Sequence, residues 1–108
     1  MTLDDYQEAA LRTVAKPVVR EFRRMILALG IAGEAGEVAD EVKKEIGHGH
    51  PEDRARIAYE PGDVLWYVTC LADEYDWSLS EVAAMNLAKL RKRYPEGFSS
   101  EASVRRDG

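Results

Sequence analysis

Two pairs of carboxylates stand out in this chain because the members of each pair are three positions apart. Glu34 and Glu37 occur in GEAGEVADEV, and Glu60 and Asp63 occur in EPGDVLWYV. Three residues are nearly one helical turn, so each pair can point both carboxylates from one helix face. Four carboxylates brought together repel one another and lose hydration unless cations neutralise them, and hard oxygen ligands suit Mg²⁺ or Mn²⁺. The spacing predicts a metal site built by two helices.

The elements that must carry these pairs are helical. Apolar residues recur at intervals of three and four along the chain, and no long stretch alternates strictly, so we predict an all-α bundle of four or five helices. The expected helices cover about Asp4–Val14, Val19–Ile46, Glu52–Tyr75 and Ser78–Arg93. Thr2 or Asp4 is expected to cap the first helix, and Lys16-Pro17 to end it. Gly47 should end the second helix. A capping box from Ser78 to Glu81 should begin the fourth, and Pro95 with Gly97 should end it.

Each of the two acidic helices carries a charged or polar stripe beside an apolar one. Packing the apolar stripes together would bring the carboxylates face to face, whereas solvated helix faces are the alternative interpretation of the same pattern. On the second helix the charged stripe is Glu34, Glu37, Glu41 and Lys44, and the apolar stripe is Ile31, Ala35, Val38 and Val42. On the third helix the charged or polar stripe is Glu60, Asp63, Tyr67 and Glu74, and the apolar stripe is Val64, Val68, Leu71 and Tyr75.

Pro61 interrupts the second acidic pair. Proline inside a helix removes one hydrogen bond and clashes with the preceding turn, at a cost of about 3 kcal/mol or more. The sequence therefore predicts that the helix breaks or kinks near residues 57–60, with Glu60 near the N-cap and Pro61 at the first helical position. Carboxylates at a helix N-terminus are stabilising without metal, which gives Glu60 and Asp63 a rival explanation.

Composition limits the classes of function. The 108 residues suffice for one domain, and 45% apolar with 32% charged residues is ordinary for a folded protein. A net charge of −5 argues against a broadly basic nucleic-acid surface. No apolar run reaches the roughly 20 residues that span a bilayer, and the polar start is unlike a signal peptide, so we expect a cytoplasmic protein. The single cysteine, Cys70, lies in an apolar periodic run and is predicted to be a small core residue.

Three segments together resemble the MazG-like group of the all-α nucleoside triphosphate pyrophosphohydrolases. They are GIAGEAGEVADEVKK, GDVLWYV and NLAKLRKRYPEGF, and the likeness runs from about Tyr6 to Phe98. The family pattern is E-x-x-E, a spacer and E-x-x-D, and 22 residues lie between Glu37 and Glu60. The resemblance implies a helical domain over residues 1–98, followed by a polar tail over 99–108 that is either loose or ordered only against a partner subunit.

The resemblance also implies an activity, a site and an assembly. Mg²⁺-dependent hydrolysis between the α and β phosphates of a nucleoside triphosphate would give a monophosphate and pyrophosphate, a nucleotide house-cleaning reaction. The metal ligands implied are Glu34, Glu37, Glu60 and Asp63, and Glu37 is the candidate general base. Members of the family assemble sites between subunits, which implies a homodimer or a homotetramer.

Residues for binding the nucleotide are predicted on the third and fourth helices. Asn86, Lys89 and Arg93 form one face, and the resemblance places Lys89 and Arg93 on the phosphate chain; a solvated basic helix end is the alternative. Trp66 is either a base-stacking or a core residue.

Two alternatives remain at this stage, and a third is set aside. A specialised pyrophosphohydrolase, such as one acting on phosphoribosyl-ATP, would share the metal chemistry. A non-catalytic helical protein that binds nucleotide or a partner would follow if Pro61 spoils the metal site. A di-iron site built on Glu45 and His48 would need a second E-x-x-H motif that the chain lacks, and His48 and His50 are expected to be exposed in a loop.

Overall fold

The computed structural model describes residues 1–16 and 19–105. Within them the chain forms five α-helices and no β-strand: α1 (Leu3–Leu11), α2 (Arg20–Gly47), α3 (Arg54–Glu74), α4 (Leu79–Arg93) and α5 (Ser100–Arg105). The two long helices α2 and α3 pack along each other, and α1 lies against α3 and α4. The all-α class predicted from the apolar periodicity is confirmed.

Helix α1 is capped as predicted but ends early. The Thr2 hydroxyl accepts from the Asp5 N–H and the Asp5 carboxylate accepts from the Thr2 N–H, which completes a capping box. The helix ends at Leu11 rather than Val14, and the Thr13 hydroxyl donates to the carbonyl of Ala10 at 2.7 Å. Pro17, part of the predicted stop signal, lies outside the described residues.

Helix α2 ends two residues before the glycine that turns the chain. Gly47 is still helical, and the N–H groups of His48 and His50 both donate to the carbonyl of Lys44, at 3.2 and 3.0 Å. Between them Gly49 has a φ of +72°, in the left-handed region that glycine occupies without strain. The helix therefore ends where it was predicted to end, but Gly49 rather than Gly47 forms the turn.

Helix α3 runs without interruption through Pro61, so the predicted break near residues 57–60 is wrong. The helix begins at Arg54, where the side chain of Asp53 accepts from the N–H of Arg56 at 3.1 Å. Pro61 removes only the hydrogen bond to the carbonyl of Ile57, and packing along α2 holds the helix on both sides of that gap. Glu60 lies in the second turn and is not an N-cap, which removes the rival explanation of its charge.

Helix α1 supplies much of the cap of α4. Ser78 accepts from the Glu81 N–H at 3.0 Å, as predicted. Two further N–H groups of the first turn are bound by α1: that of Leu79 by the side-chain oxygen of Gln7 at 2.8 Å, and that of Ser80 by Asp4 at 3.1 Å. The side-chain amide of Gln7 also donates to the carbonyl of Trp77 at 3.0 Å. These bonds fix the start of α4 against the N-terminal helix.

Part of the C-terminal tail is ordered within the chain. Ser100–Arg105 forms α5, the Ser99 hydroxyl accepts from the Ala102 N–H, and Ala102 is buried. The expectation of a tail that is loose or ordered only by a partner is therefore wrong for these six residues. Residues 106–108 lie outside the described part of the chain.

The buried core consists mainly of small side chains. Its apolar members are Ala10, Leu27, Cys70, Ala72, Leu79 and Ala102. Cys70 is buried as predicted, and burial raises the pKa of its thiol to about 11, so the thiol stays protonated near neutral pH. No helix in the described part of the chain is long and apolar enough to cross a bilayer.

Candidate metal centre

Three of the four predicted metal ligands meet where α2 crosses α3. Glu34 comes from α2, and Glu60 and Asp63 come from successive turns of α3. One oxygen from each carboxylate lies within 4.8 Å of the other two. Glu34 and Glu60 are partly buried, whereas Asp63 is exposed. An all-oxygen set of this size on one side of an open position suits a hard divalent cation such as Mg²⁺ or Mn²⁺.

Gly30 and Tyr67 set the approach of the two helices beside this cluster. Gly30 lies one turn before Glu34 on α2, and Tyr67 lies one turn after Asp63 on α3. The Tyr67 ring occupies the space that a side chain at position 30 would need, because a Cβ added at Gly30 would overlap its Cε1 and Cδ1 atoms. The absence of a side chain at Gly30 therefore lets α3 come close enough for its acids to reach Glu34.

Loss of hydration, together with like charges at the cluster, raises the pKa of Glu34. Desolvation is the largest cause, followed by repulsion from Asp63, Glu60 and Glu37. A raised carboxyl pKa means that the ionised form is disfavoured without added positive charge. The electrostatics thus fit a group of acids that binds a cation.

Glu37 lies outside the group of three. Its side chain is exposed, and in the described part of the chain it belongs to no set of three ligand atoms within 4.8 Å of one another. The spacing of Glu34 and Glu37 is the same as that of Glu60 and Asp63, but on α2 the step from Glu34 to Glu37 leads from a partly buried position to an exposed one. Glu37 contributes to the field at Glu34 but is placed at the rim.

Arg56 is a neighbour of the cluster that the sequence analysis did not single out. Its Nε atom lies 3.0 Å from an oxygen of Glu41 and 3.8 Å from an oxygen of Glu60. The signal that could have found it is spacing, since Arg56 precedes Glu60 by four residues and such pairs meet on a helix. Glu41 lies on the same charged stripe as Glu34.

The predicted phosphate-binding face lies on α4. Asn86 and Lys89 are exposed, and Arg93 is partly buried. The Arg93 Nε is buried without a hydrogen-bond partner, and its guanidinium lies 6.0 Å from the centre of the Tyr94 ring. Within residues 1–16 and 19–105, no hydrogen bond or ion pair joins these three side chains to the acidic cluster, and α4 packs chiefly against α1 and α3.

Trp66 connects α3 to the end of α1. Its indole N–H donates to the hydroxyl of Thr13 at 2.8 Å, and its ring meets Tyr67 edge to face, with the ring centres 5.0 Å apart. These contacts give Trp66 a structural role beside the cluster. His48 and His50 are exposed beyond the end of α2, as predicted.

Two cavities of the described residues differ in their lining. An open cleft of about 660 Å³ lies between the end of α2 and the start of α3, and Glu41 and Arg56 line it. Its volume falls in the range of small-molecule sites. A second cavity of about 230 Å³, bordered by Leu27, Cys70 and the Arg23–Glu74 ion pair, is mainly apolar and does not suit a triphosphate.

A family model and a phage protein match this chain in sequence. The family model for the MazG nucleotide pyrophosphohydrolase domain matches residues 22–98. The Gene 37 protein of Mycobacterium phage L5 is 38% identical over 105 residues, which cover 90% of this chain and 92% of that protein. No solved structure matches the chain significantly.

Proposed function

This chain belongs to the MazG nucleotide pyrophosphohydrolase family, and on that premise we propose that it hydrolyses nucleoside triphosphates between the α and β phosphates. The products are a ribo- or deoxyribonucleoside monophosphate and pyrophosphate. The proposed role is house-cleaning of the nucleotide pool in the cytoplasm.

The observation that carries the proposal is the group of Glu34, Glu60 and Asp63. Their oxygens lie within 4.8 Å of one another and would hold Mg²⁺, or Mn²⁺, with Glu37 at the rim. The cation would supply charge neutralisation at the phosphates and activation of water. Glu37 is exposed and is the proposed acceptor of the proton from that water.

Positive side chains are proposed to bind the rest of the substrate. Lys89 and Arg93 would bind phosphate oxygens, with Asn86 one turn closer to the start of α4, and Arg93 belongs to a basic last turn of that helix. The cleft beside Arg56 offers room for a nucleoside. Trp66 is proposed to line the site while it holds the end of α1.

A second copy of the chain is proposed to cover apolar surface that the isolated chain exposes. The accessible surface is 7856 Å², whereas a monomer of this mass has about 6,000 Å². On α2, Phe22, Met25, Ile26 and Leu29 form an apolar face, and all four are at least half exposed. A standard interface buries about 800 Å² per partner, less than this excess. The proposed assembly is a homodimer or a homotetramer.

The test is pyrophosphate release from a panel of ribo- and deoxyribonucleoside triphosphates with Mg²⁺ or Mn²⁺. Glu60→Gln should lower kcat/KM by at least about 100-fold and weaken Mn²⁺ binding by at least about tenfold, because it removes one ligand charge. Glu37→Gln should lower kcat with a smaller effect on Mn²⁺ affinity. Glu21→Gln makes the same chemical change in the first turn of α2 and serves as the control.

Two alternative functions give different results in the same assay. A non-catalytic binding protein, the alternative in which Pro61 spoils the metal site, would show no turnover and no tight Mn²⁺ binding. A specialised pyrophosphohydrolase would release pyrophosphate from phosphoribosyl-ATP far faster than from any simple triphosphate.

A further inference from the structure

Arg56 lies at the edge of the acidic cluster and contacts two carboxylates. Its Nε is 3.0 Å from Glu41 on α2 and 3.8 Å from Glu60 on α3. The longer contact is at the outer limit of an ion pair, so Glu41 is the principal partner and Glu60 is held loosely. A single guanidinium therefore joins a metal-ligand candidate to an acid outside the cluster.

The burial of the three groups differs. The side chains of Glu41 and Glu60 are 17% and 12% exposed, whereas that of Arg56 is 60% exposed. The acids are therefore confined between the helices, while the guanidinium reaches them from solvent. Its release from Glu60 would leave both carboxylates in place and would cost little desolvation.

Neighbouring cations do not replace Arg56 at this position. Lys44 lies close by, but it pairs with Asp40 at 2.8 Å, and Arg54 pairs with Glu52 at 3.2 Å. Among the ion pairs of the described residues, Arg56 is the cation that contacts a member of the cluster.

We infer that Arg56 is an internal counter-ion of the metal centre, which pairs with Glu60 in the metal-free protein and gives it up when a divalent cation binds. Glu60 then exchanges a loose contact with Arg56 for ligation, and Arg56 keeps its shorter contact with Glu41. This inference rests on the proposed function only in taking Glu34, Glu60 and Asp63 as the ligands.

The consequence is a cation affinity held below what the three acids alone would give. A fixed positive charge a few ångströms from a divalent ion opposes its binding, and in solvent-exposed surroundings one unit charge changes affinity by about fivefold to tenfold. The effect diminishes with added salt, because Arg56 is largely exposed.

The test is a calorimetric titration of the full-length, metal-free protein with Mn²⁺ at low ionic strength. Arg56→Gln should bind Mn²⁺ about fivefold to tenfold more tightly than the unaltered protein. Arg56→Lys, which keeps the charge, should stay within about twofold. Arg54→Gln removes the same charge two residues away, from a side chain paired with Glu52, and should leave the affinity unchanged. Circular dichroism establishes that each variant is folded.

Four results would overturn the inference. Equal Mn²⁺ affinity in Arg56→Gln and Arg54→Gln would mean that Arg56 does not oppose the cation. Weaker binding in Arg56→Gln would make Arg56 a positioning residue for Glu60 instead. Tighter binding in both Arg56→Gln and Arg56→Lys would show that charge is not the cause. If the unaltered protein binds no Mn²⁺, the metal centre of the proposed function fails, and the inference fails with it.

Discussion

Glu34 has a raised pKa because it loses hydration between the helices and faces the two carboxylates of α3. Its raised pKa means that the ionised form opposes folding above the unfolded pKa, and this penalty disappears as the pH falls and Glu34 protonates. Cation binding requires the ionised form. Mn²⁺ affinity should therefore fall as the pH is lowered through the raised pKa of Glu34, and binding should release protons.

Calorimetry in buffers of different ionisation enthalpy measures both quantities. Glu8→Gln, which changes an exposed acid of α1, should keep the full pH dependence. A Mn²⁺ affinity that is flat across the acidic range would show that Glu34 is not a ligand.

Gly30 provides a second test at the scale of one residue. Helix propensity alone predicts that Gly30→Ala would stabilise α2 by about 1 kcal/mol. The overlap with the Tyr67 ring reverses the sign, and we expect a loss of about 1–3 kcal/mol in the free energy of unfolding, together with weaker Mn²⁺ binding. Urea unfolding and a Mn²⁺ titration measure these changes.

Gly62→Ala is the matched control for Gly30→Ala, because a Cβ added at Gly62 meets nothing within 4 Å. It should be neutral or slightly stabilising. Rescue of Gly30→Ala by Tyr67→Leu would identify the ring as the cause, whereas a Gly30→Ala protein as stable as the Gly62→Ala protein would contradict the steric argument.

At the residue scale, local spacing predicted part of the cluster and missed part of it. The couples at 34/37 and 60/63 are visible because three residues are nearly one turn, and three of those four acids converge. Glu37 does not join them, because the close approach at Gly30 fixes which edge of α2 faces α3. That approach depends on Tyr67, which is distant in sequence, so the local pattern could not reveal it.

At the scale of the helices, α3 shows how tertiary packing overrides a local rule. Pro61 is exposed in a continuous helix. It destabilises that helix through one missing hydrogen bond and through the clash of its ring with the carbonyl one turn earlier. Pro61→Leu should therefore raise the free energy of unfolding by about 1–3 kcal/mol. Mn²⁺ affinity should change by less than about twofold, because the acids already sit on a continuous helix.

Urea unfolding and a Mn²⁺ titration of Pro61→Leu measure these two quantities. A tenfold gain in affinity would mean that the proline distorts the cluster after all. Pro51→Ala, which changes an exposed proline in the α2–α3 connection, controls for loss of proline from the unfolded chain.

Gln7 is the corresponding test of the joint between α1 and α4. It is buried and binds both the N–H of Leu79 and the carbonyl of Trp77. Gln7→Ala leaves two backbone groups without partners, so we expect a loss of about 2–4 kcal/mol in the free energy of unfolding. Glu8→Ala, which removes an exposed side chain with one 3.8 Å ion pair, should change it by less than about 0.5 kcal/mol. Similar losses in the two variants would contradict this role.

At the scale of the whole molecule, the isolated chain is more extended than its length requires. Its radius of gyration is 16.9 Å, against about 13 Å for a compact domain of this length. Apolar periodicity predicted the helices, but it could not say which apolar residues face the chain's own core. On α2 the apolar face of Phe22, Met25, Ile26 and Leu29 remains outside that core.

This exposed apolar face predicts self-association, which one charged side chain placed on it would disrupt. Leu29 is the most exposed member of this face at 64%, and Leu29→Asp should convert an oligomer into monomers in light scattering coupled to gel filtration. Ile46→Asp makes the same change at a residue 80% exposed on another side of α2 and should leave the oligomer intact. A monomeric unaltered protein at micromolar concentration would rule out the proposed assembly.

The bonds from α1 to α4 also bear on how this protein changes during evolution. Gln7 lies outside residues 22–98, which the family model matches, yet it binds two backbone groups within that range. A substitution at position 7 that removes the amide leaves these two backbone groups without that partner unless the turn around positions 77–79 changes with it. We expect these positions to covary among homologues that retain α1, and to vary independently in those that begin with α2.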